Sequence, residues 1–358
     1  MAQMTPLATI MNQTPQVSVV MPNLNNRRFL PERLDSIVNQ TLTDWEAIIV
    51  DSYSDDGAWE LIQAYAARDR RFRIAQAPRD GIYPNLNRCI EQARGKYVYI
   101  ATSDDTMTPE CLAKMVTAMD AHPECGLCQT PLTIINEHGQ EMPNLWRTFP
   151  VCEFFGDWLD VPHIRFAPYD GILHSALYTV YTSLTQLLIR RSVFDKIGGF
   201  RNDWGAESDF EWGMRAGLVC HIFYLPERVA TWRMHRDQAT AQYNPQASVR
   251  KARLCDMVHA ACTMLKITSS ASPNKNIRVS RLTMPYRQEQ LLTGLWEQAS
   301  RWRQYQFLLW FALIRPDIVA QFLLRRICRQ PIIFVDRFSY LRSELKRLGL
   351  MEQVKFLA

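Results

Sequence analysis

Hydrophobic positions in the first hundred residues fall into short continuous runs separated by stretches with helical spacing. VSVVM, residues 17–21, is a β-rich run that stops at Pro22. Phe29, Leu30, Leu34, Ile37 and Val38 then recur on one face of a 3.6-residue repeat, which predicts a helix from about Phe29 to Gln40. WEAIIVD (45–51) reads as a second strand ending in Asp51, and residues 57–69 as a second helix with Asp55 or Asp56 as its cap. FRIAQA (72–77) is a third strand, a helix follows from about Tyr83 to Ala93, and a fourth strand contains Tyr97–Ala101.

The β-α-β-α-β-α-β order implies an α/β fold with a mostly parallel sheet and helices on both faces. Its strands are near-continuous apolar runs, as burial on both faces requires. The loops PNLNN, DSYSDDG and RDGIY follow the first three strands, and Asp104 and Asp105 follow the fourth. All four therefore converge on one edge, the carboxyl edge where open α/β sheets bind ligands. Acids there are costly unless compensated. A pair of them can hold a divalent cation, and a cation can hold a diphosphate.

Residues 130–240 are less regular and rich in aromatics, among them Trp146, Phe149, Trp158, Tyr169 and Tyr181, read mainly as core. From about Pro245 the pattern turns helical. The longest apolar stretch there, FLLWFALI (307–314), is stopped by Arg315, Pro316 and Asp317, so no transmembrane helix is expected.

Composition narrows the function classes. The chain has 358 residues, 47% hydrophobic and 22% charged, as in ordinary globular proteins. A formal net charge of +5 is too small to argue for nucleic acid. The first 16 residues lack a basic start followed by an apolar core, so they read as a loose lead-in rather than a signal peptide. Nine cysteines, an odd number, argue against a disulfide framework and for a reducing, cytoplasmic setting. Cys125 and Cys128 form one CxxC with His122 before it. No second pair completes a zinc site, and CGLCQT reads better as an apolar strand. There is no GxGxxG after the first strand and no GxxxxGK[ST], which disfavours dinucleotide dehydrogenases and P-loop enzymes.

Five segments together resemble the inverting glycosyltransferases of family 2, which have the GT-A fold. VSVVMPNLNNRRFLPERLDSIVNQT is similar to the family's opening strand, Pro-x-x-Asn turn and helix; WEAIIVDSYSDDG to its second strand with a nucleotide-contacting Asp. DGIY with GKYVYIATSDD resembles the third loop and the Asp-x-Asp strand, IRRSVFDKIGGF the acceptor-side segment, and SDFEWGMRAG the catalytic-base helix. The resemblance covers about residues 17–240. It implies a domain whose nucleotide-binding part is 17–128 and whose acceptor-side part is 129–240, followed by a helical region over 241–358.

Carried over residue by residue, the resemblance places Asp51 at the nucleotide base, with Pro22, Asn23 and Asn25 lining the same pocket. It places Asp80 and Asn87 near the ribose and diphosphate, and Ser103 and Asp104 at the donor. It makes Asp104 the main ligand of Mn2+ or Mg2+, with Asp105 in support and His235 nearby, and Asp209 the general base. The donor is expected to be a nucleotide-sugar, a UDP-sugar first, and the acceptor a glycan or a lipid-linked hydroxyl. Departures are Thr102 at the first acid of Asp-x-Asp, Ser52 and Tyr53 in place of Asp-Gly, and Ser208 where a Glu often precedes the base. Thr102 and Ser208 keep open a catalytically silent sugar-nucleotide-binding subunit.

The residues themselves suit this chemistry. A leaving diphosphate gathers negative charge that a cation stabilises, and the attacking hydroxyl must lose a proton to a base. Asp209 opens a predicted helix, where the dipole favours a carboxylate; the rival reading is a plain N-cap. From residue 286 onward there are 12 Lys or Arg against 6 Asp or Glu. Basic amphipathic helices of this kind can lie on an anionic membrane surface. That would place the protein peripherally on the inner face of the membrane, with a helical cap or an oligomer contact as the alternative.

Overall fold

The computed structural model describes residues 14–177, 179–238, 301–314 and 349–357, with isolated positions between 257 and 346. The lead-in up to residue 13 and most of 241–300 lie outside the described residues.

Four apolar runs form the predicted strands: β1 (Val17–Asn23), β2 (Trp45–Asp51), β3 (Phe72–Gln76) and β4 (Tyr97–Ile100). They are parallel, in the order β4-β1-β2-β3, and every residue of β1, β2 and β4 is buried. The register puts Asn23 beside Asp51 and Asp51 beside Gln76 at the carboxyl edge. Side chains alternate across the sheet. Val19, Met21, Ala47, Ile49 and Tyr99 meet α1 (Leu30–Val38), α2 (Ala58–Arg68) and α4 (Cys111–Ala121) on one face. Val20, Ile48, Val50, Val98 and Ile100 meet α3 (Ile82–Glu91) on the other.

Beyond β4 the sheet becomes mixed. β5 (Cys125–Gln129) does not pair with β4. Instead β8 (Leu187–Arg190) runs antiparallel between them, and with β7 (His163–Arg165), β9 (His221–Tyr224) and β11 (Val354–Phe356) the described sheet continues as β11-β7-β9-β5-β8-β4. β7 and β9 come from the aromatic-rich middle. The division at 128/129 thus falls inside β5, across which the sheet is continuous. β6 (Leu132–Asn136) and β10 (Ala230–Met234) form a separate parallel pair. Cys125 and Cys128 are buried free thiols of β5; burial pushes Cys125 up to about 12 and Cys128 well above the ordinary thiol range, as for small hydrophobes.

Further α-helices are α5 (Pro150–Phe155), α6 (Tyr169–Leu177), α7 (Ser192–Ile197) and α8 (Ser208–Val219), with α9 (Arg301–Ile314) in the C-terminal part. α6 and α8 touch backbone to backbone: a Cβ on Gly217 would stand 2.4 Å from the Gly171 nitrogen. Only glycine permits that approach. The helical reading of 241–358 holds for α9 but not for the tail. Val354–Phe356 form β11, which pairs antiparallel with β7 at the sheet edge. Its Val-x-Phe alternation is too short to read against the helical residues before it.

Candidate active site

The carboxyl edge of β1 and β2 is organised around Asp51. Its Oδ1 accepts from Asn23 Nδ2 at 2.8 Å and Ser54 Oγ at 2.6 Å, and its Oδ2 from the Ser54 amide at 2.9 Å. The residue is fully buried. The resemblance placed Asp51 against a base; in the structure its oxygens accept from Asn23 of β1, Gln76 of β3 and Ser54 in the loop after β2. Because Asn23 must donate through Nδ2 to a carboxylate, its Oδ1 is fixed as an acceptor, and that atom has no partner although Asn23 is only 2% exposed. Pro22 sits within β1, opposite Val50.

The two loops are then cross-tied. Asn25 and Tyr53 both take left-handed backbone, φ +52° and +51°, uncommon for residues with a Cβ. Asn25 Nδ2 donates to Asp55 at 2.8 Å, and the Asp55 amide returns a bond to Asn25 Oδ1 at 3.0 Å. Asp55 is therefore a loop clamp, while Asp56 accepts from the Ala58 amide and starts α2. Arg79 donates to the Ser52 and Tyr53 carbonyls and to Asp55. Tyr53 itself is left 54% exposed.

Asp80 and Asn87 are engaged elsewhere. Asp80 forms a two-pronged pair with Arg88, at 2.9 and 2.7 Å, which holds its carboxyl below the usual range. Asn87 clamps Phe200, donating to its carbonyl at 2.7 Å and accepting from its amide at 2.9 Å. The residue of α3 that reaches the nucleotide side is Asn85, which donates to Ser52 Oγ at 2.6 Å. Nothing in its spacing singled it out.

At the metal end the two acids diverge. Asp104 Oδ2 faces His235 Nε2 at 3.0 Å, although 131 residues separate them. Asp105 is buried. One oxygen accepts from the Arg233 amide at 2.6 Å and the other from the Thr102 hydroxyl. Burial and the neighbouring Asp104 charge push its carboxyl well above the ordinary range. Asp105 therefore ties the β4 edge to β10. Among the described residues no three His, Cys, Asp or Glu side chains gather to hold an ion. Of the expected Asp104, Asp105 and His235, the structure brings Asp104 and His235 into direct contact and turns Asp105 to Thr102 and Arg233. Thr102 has its reason here, since an acid in its place would set a second carboxylate against Asp105.

The pair is itself supported. Arg28 donates to His235 Nδ1 at 3.0 Å and to Asp237 at 2.8 Å. A guanidinium only donates, so Nδ1 accepts and the His235 proton sits on Nε2. Arg233, fully enclosed, donates to the Asp104 carbonyl at 2.7 Å and to Glu32 on α1. Ser103 Oγ accepts from Asn26 at 2.7 Å, closing the edge. One carboxylate and one imidazole fit a hard divalent ion that takes its other oxygens from water and phosphate. For His235 to ligate through Nε2, its proton must pass to Nδ1 and Arg28 must turn away, to where Asp237 already holds it.

Asp209 lies in the first turn of α8. The Phe210 amide donates to its Oδ1 at 2.9 Å. Burial first, and then the Glu207 charge, raise its carboxyl from the ordinary value of 3.8 to about 7, against hydrogen bonds from Tyr83 and the Phe210 amide that hold it down. Ser208 donates to the Gly205 carbonyl at 2.9 Å, a local helix-start bond. Behind it, Glu211 and Arg215 form a fully buried two-pronged pair at 2.8 Å, and Arg215 also donates to the Ile197 and Gly199 carbonyls. The glycine loop that precedes α8 is thus bolted to α8.

A parallel β4-β1-β2-β3 core with a polar site along its carboxyl edge, extended by a mixed sheet, defines the GT-A class of α/β protein. Within that class the chain belongs to glycosyl transferase family 2, whose sequence pattern matches residues 18–200. It is similar to EpsE of Bacillus subtilis, described as a glycosyltransferase: 33% identical over 131 residues, 36% of this chain and 47% of EpsE. It is likewise similar to TuaG of the same organism, described as a teichuronic acid biosynthesis glycosyltransferase, 33% identical over 109 residues, 30% of this chain and 43% of TuaG. The matched stretch spans less than half of either relative. Among solved structures, the 1–349 portion of S. aureus TarS with UDP-GlcNAc superimposes with a TM-score of 0.52 and 14% identity, covering 93% of this chain and 92% of that one. The mannosyltransferase PcManGT of Pyrobaculum calidifontis, with GDP-Man and Mn2+, gives 0.53 and 17%, covering 96% and 86%. At these identities the likeness is one of fold.

Proposed function

We propose that this protein is an inverting glycosyltransferase that moves a sugar from a nucleoside diphosphate to an acceptor hydroxyl in surface polysaccharide synthesis. The observation that carries the proposal is the place of Asp209, in the first turn of α8 with its Oδ1 held by the Phe210 amide at 2.9 Å, and with burial raising its carboxyl to about 7. A base is most useful when its affinity for a proton lies near the working pH. Asp209 takes the proton of the acceptor hydroxyl as the acceptor oxygen bonds to the anomeric carbon. The bond from that carbon to the diphosphate oxygen breaks, and its electron pair leaves with the nucleoside diphosphate. One in-line displacement inverts the anomeric centre.

Asp104 with His235 would hold Mn2+ or Mg2+, which when bound supplies positive charge to the leaving diphosphate. Arg28, released from His235, is placed to add a second positive charge. At the other end the unpartnered Asn23 Oδ1 is an acceptor suited to a base with an imino N–H, such as uracil or guanine. The donors in the TarS and PcManGT structures, UDP-GlcNAc and GDP-Man, carry such bases. A UDP-sugar is the first choice here. No observation favours the silent subunit: Thr102 serves Asp105 and Ser208 serves the start of α8, so neither departure removes Asp104 or Asp209.

The acceptor is a glycan or a lipid-linked hydroxyl, reached from an anionic membrane surface. α9 supports this: Trp302, Tyr305, Leu309 and Leu313 share one face and are 61–86% exposed. RWRQYQFLLWFALIR (301–315) contains three arginines and no acid. Among the described residues no helix is long and apolar enough to cross a membrane, so the contact would be peripheral.

The test is release of nucleoside diphosphate from UDP-, GDP- and dTDP-sugars, with Mn2+ or with chelator. Turnover of at least one donor that chelator lowers is expected. Turnover of none would overturn the enzyme, and turnover indifferent to chelator would overturn the cation.

A further inference from the structure

Asn87 was expected near the ribose and diphosphate, yet its side-chain amide is engaged with another element. Its Nδ2 donates to the Phe200 carbonyl at 2.7 Å, and its Oδ1 accepts from the Phe200 amide at 2.9 Å. One side chain thus satisfies both backbone groups of one residue, which fixes its orientation. The approach is close. A Cβ on Gly199 would stand 2.4 Å from Asn87 Oδ1, and the atoms nearest to it all belong to Asn87. Phe200 is buried, and its ring stacks on two others. Tyr83 of α3 lies 5.6 Å away and Trp212 of α8 5.0 Å away, centroid to centroid, with planes at 21° and 24°.

The same short loop is tied to α8. Trp212 Nε1 donates to the Gly198 carbonyl at 3.2 Å, and Arg215 donates to the Ile197 and Gly199 carbonyls. α3 also meets the nucleotide side, where Asn85, two residues before Asn87, donates to Ser52 Oγ at 2.6 Å. One helix therefore holds the loop after β2 through Asn85 and the 197–200 loop through Asn87. That second loop holds α8, whose first turn carries Asp209. We propose that Asn87 is a positioning residue for Asp209: by clamping Phe200 it sets α8 at a fixed place relative to the donor. The role presupposes that Asp209 is the base. In it Asn87 touches neither donor nor acceptor and acts through geometry, where a displacement of about 1 Å can cost about 100-fold in rate.

The experiment measures nucleoside diphosphate release, and calorimetric binding of UDP, GDP and dTDP, in wild type, Asn87→Ala, Gly199→Ala and the double variant. Asn87→Ala is expected to lower kcat about 10- to 100-fold. Donor KM and the affinity and stoichiometry of nucleotide binding should keep their wild-type values. Retained stoichiometry separates misplacement from partial unfolding, which would lower the number of binding sites. Gly199→Ala pushes a methyl into the Asn87 amide and should lower kcat in the same way. With the Asn87 amide gone the methyl has room, so the double variant should be no slower than Asn87→Ala alone. Losses that multiply overturn the clamp, as does wild-type kcat in Asn87→Ala. Loss of nucleotide binding in step with turnover also overturns it and returns Asn87 to the donor. Should Asn87→Ala not fold, Asn87→Asp keeps the bond from the Phe200 amide and loses only the one to its carbonyl; the same split between kcat and binding is then required. If Asp209→Asn keeps wild-type turnover, the base assignment itself fails; if that variant is inactive and Asn87→Ala matches wild type, only the Asn87 role fails.

Discussion

Asp104 and Asp105 are adjacent in sequence and opposite in role. Asp104 faces His235, whereas Asp105 is sealed between Thr102 and the Arg233 amide. Asparagine is nearly isosteric and can keep both Asp105 contacts, accepting from Arg233 and donating to Thr102. Asp105→Asn should therefore retain turnover within about tenfold, while Asp104→Asn should lose about 100-fold, since it removes a charge aimed at the leaving group. Equal losses in a donor-release assay would contradict this division. Asp209 carries a linked stability effect. Its carboxyl binds a proton more tightly folded than unfolded, so its contribution is full below the ordinary value of 3.8 and is lost as pH rises to about 7. Asp209→Asn should thus unfold at a higher temperature than wild type at pH 8, with the gap closing toward pH 4. A variant less stable at pH 8 would count against the raised carboxyl.

At the scale of elements, α8 is held from two sides. Gly217 lets it lie against α6, and the buried Glu211–Arg215 pair ties it to the 197–199 loop. Gly217→Ala drives a methyl into the α6 backbone and should cost about 1–3 kcal/mol in chemical denaturation. Arg215→Met leaves Glu211 charged and buried without its partner and should cost about 3–5 kcal/mol. Stability unchanged in either variant would mean that α8 is not anchored as described. α9 allows a different test. Binding to anionic vesicles should be lost when Leu309 and Leu313 become Glu, and should weaken with salt. Salt-independent self-association in its place would identify α9 as a contact between copies.

Across the whole molecule, legibility followed locality. β1 to β4 and their helices were readable to within about two residues because long apolar runs alternate with clear helical faces. The mixed half was not. β8 reaches its place between β4 and β5 only after a long excursion, and β7 and β11 are three residues each. The site showed the same pattern. Positions at the strand ends were visible because any parallel sheet gathers them on one edge. The Asp104–His235 contact joins residues 131 apart, and only the family resemblance brought His235 forward. Burial of Asp51 and Asp105 and the Asn87 clamp depend on partners that no local pattern names. The account as a whole stands on Asp209, and nucleoside diphosphate release by wild type and Asp209→Asn, with donor binding measured alongside, tests it most directly. The prediction is a loss of about 1,000-fold or more in the variant with donor affinity retained, within the range for removal of a general base. Undiminished release by Asp209→Asn would contradict it.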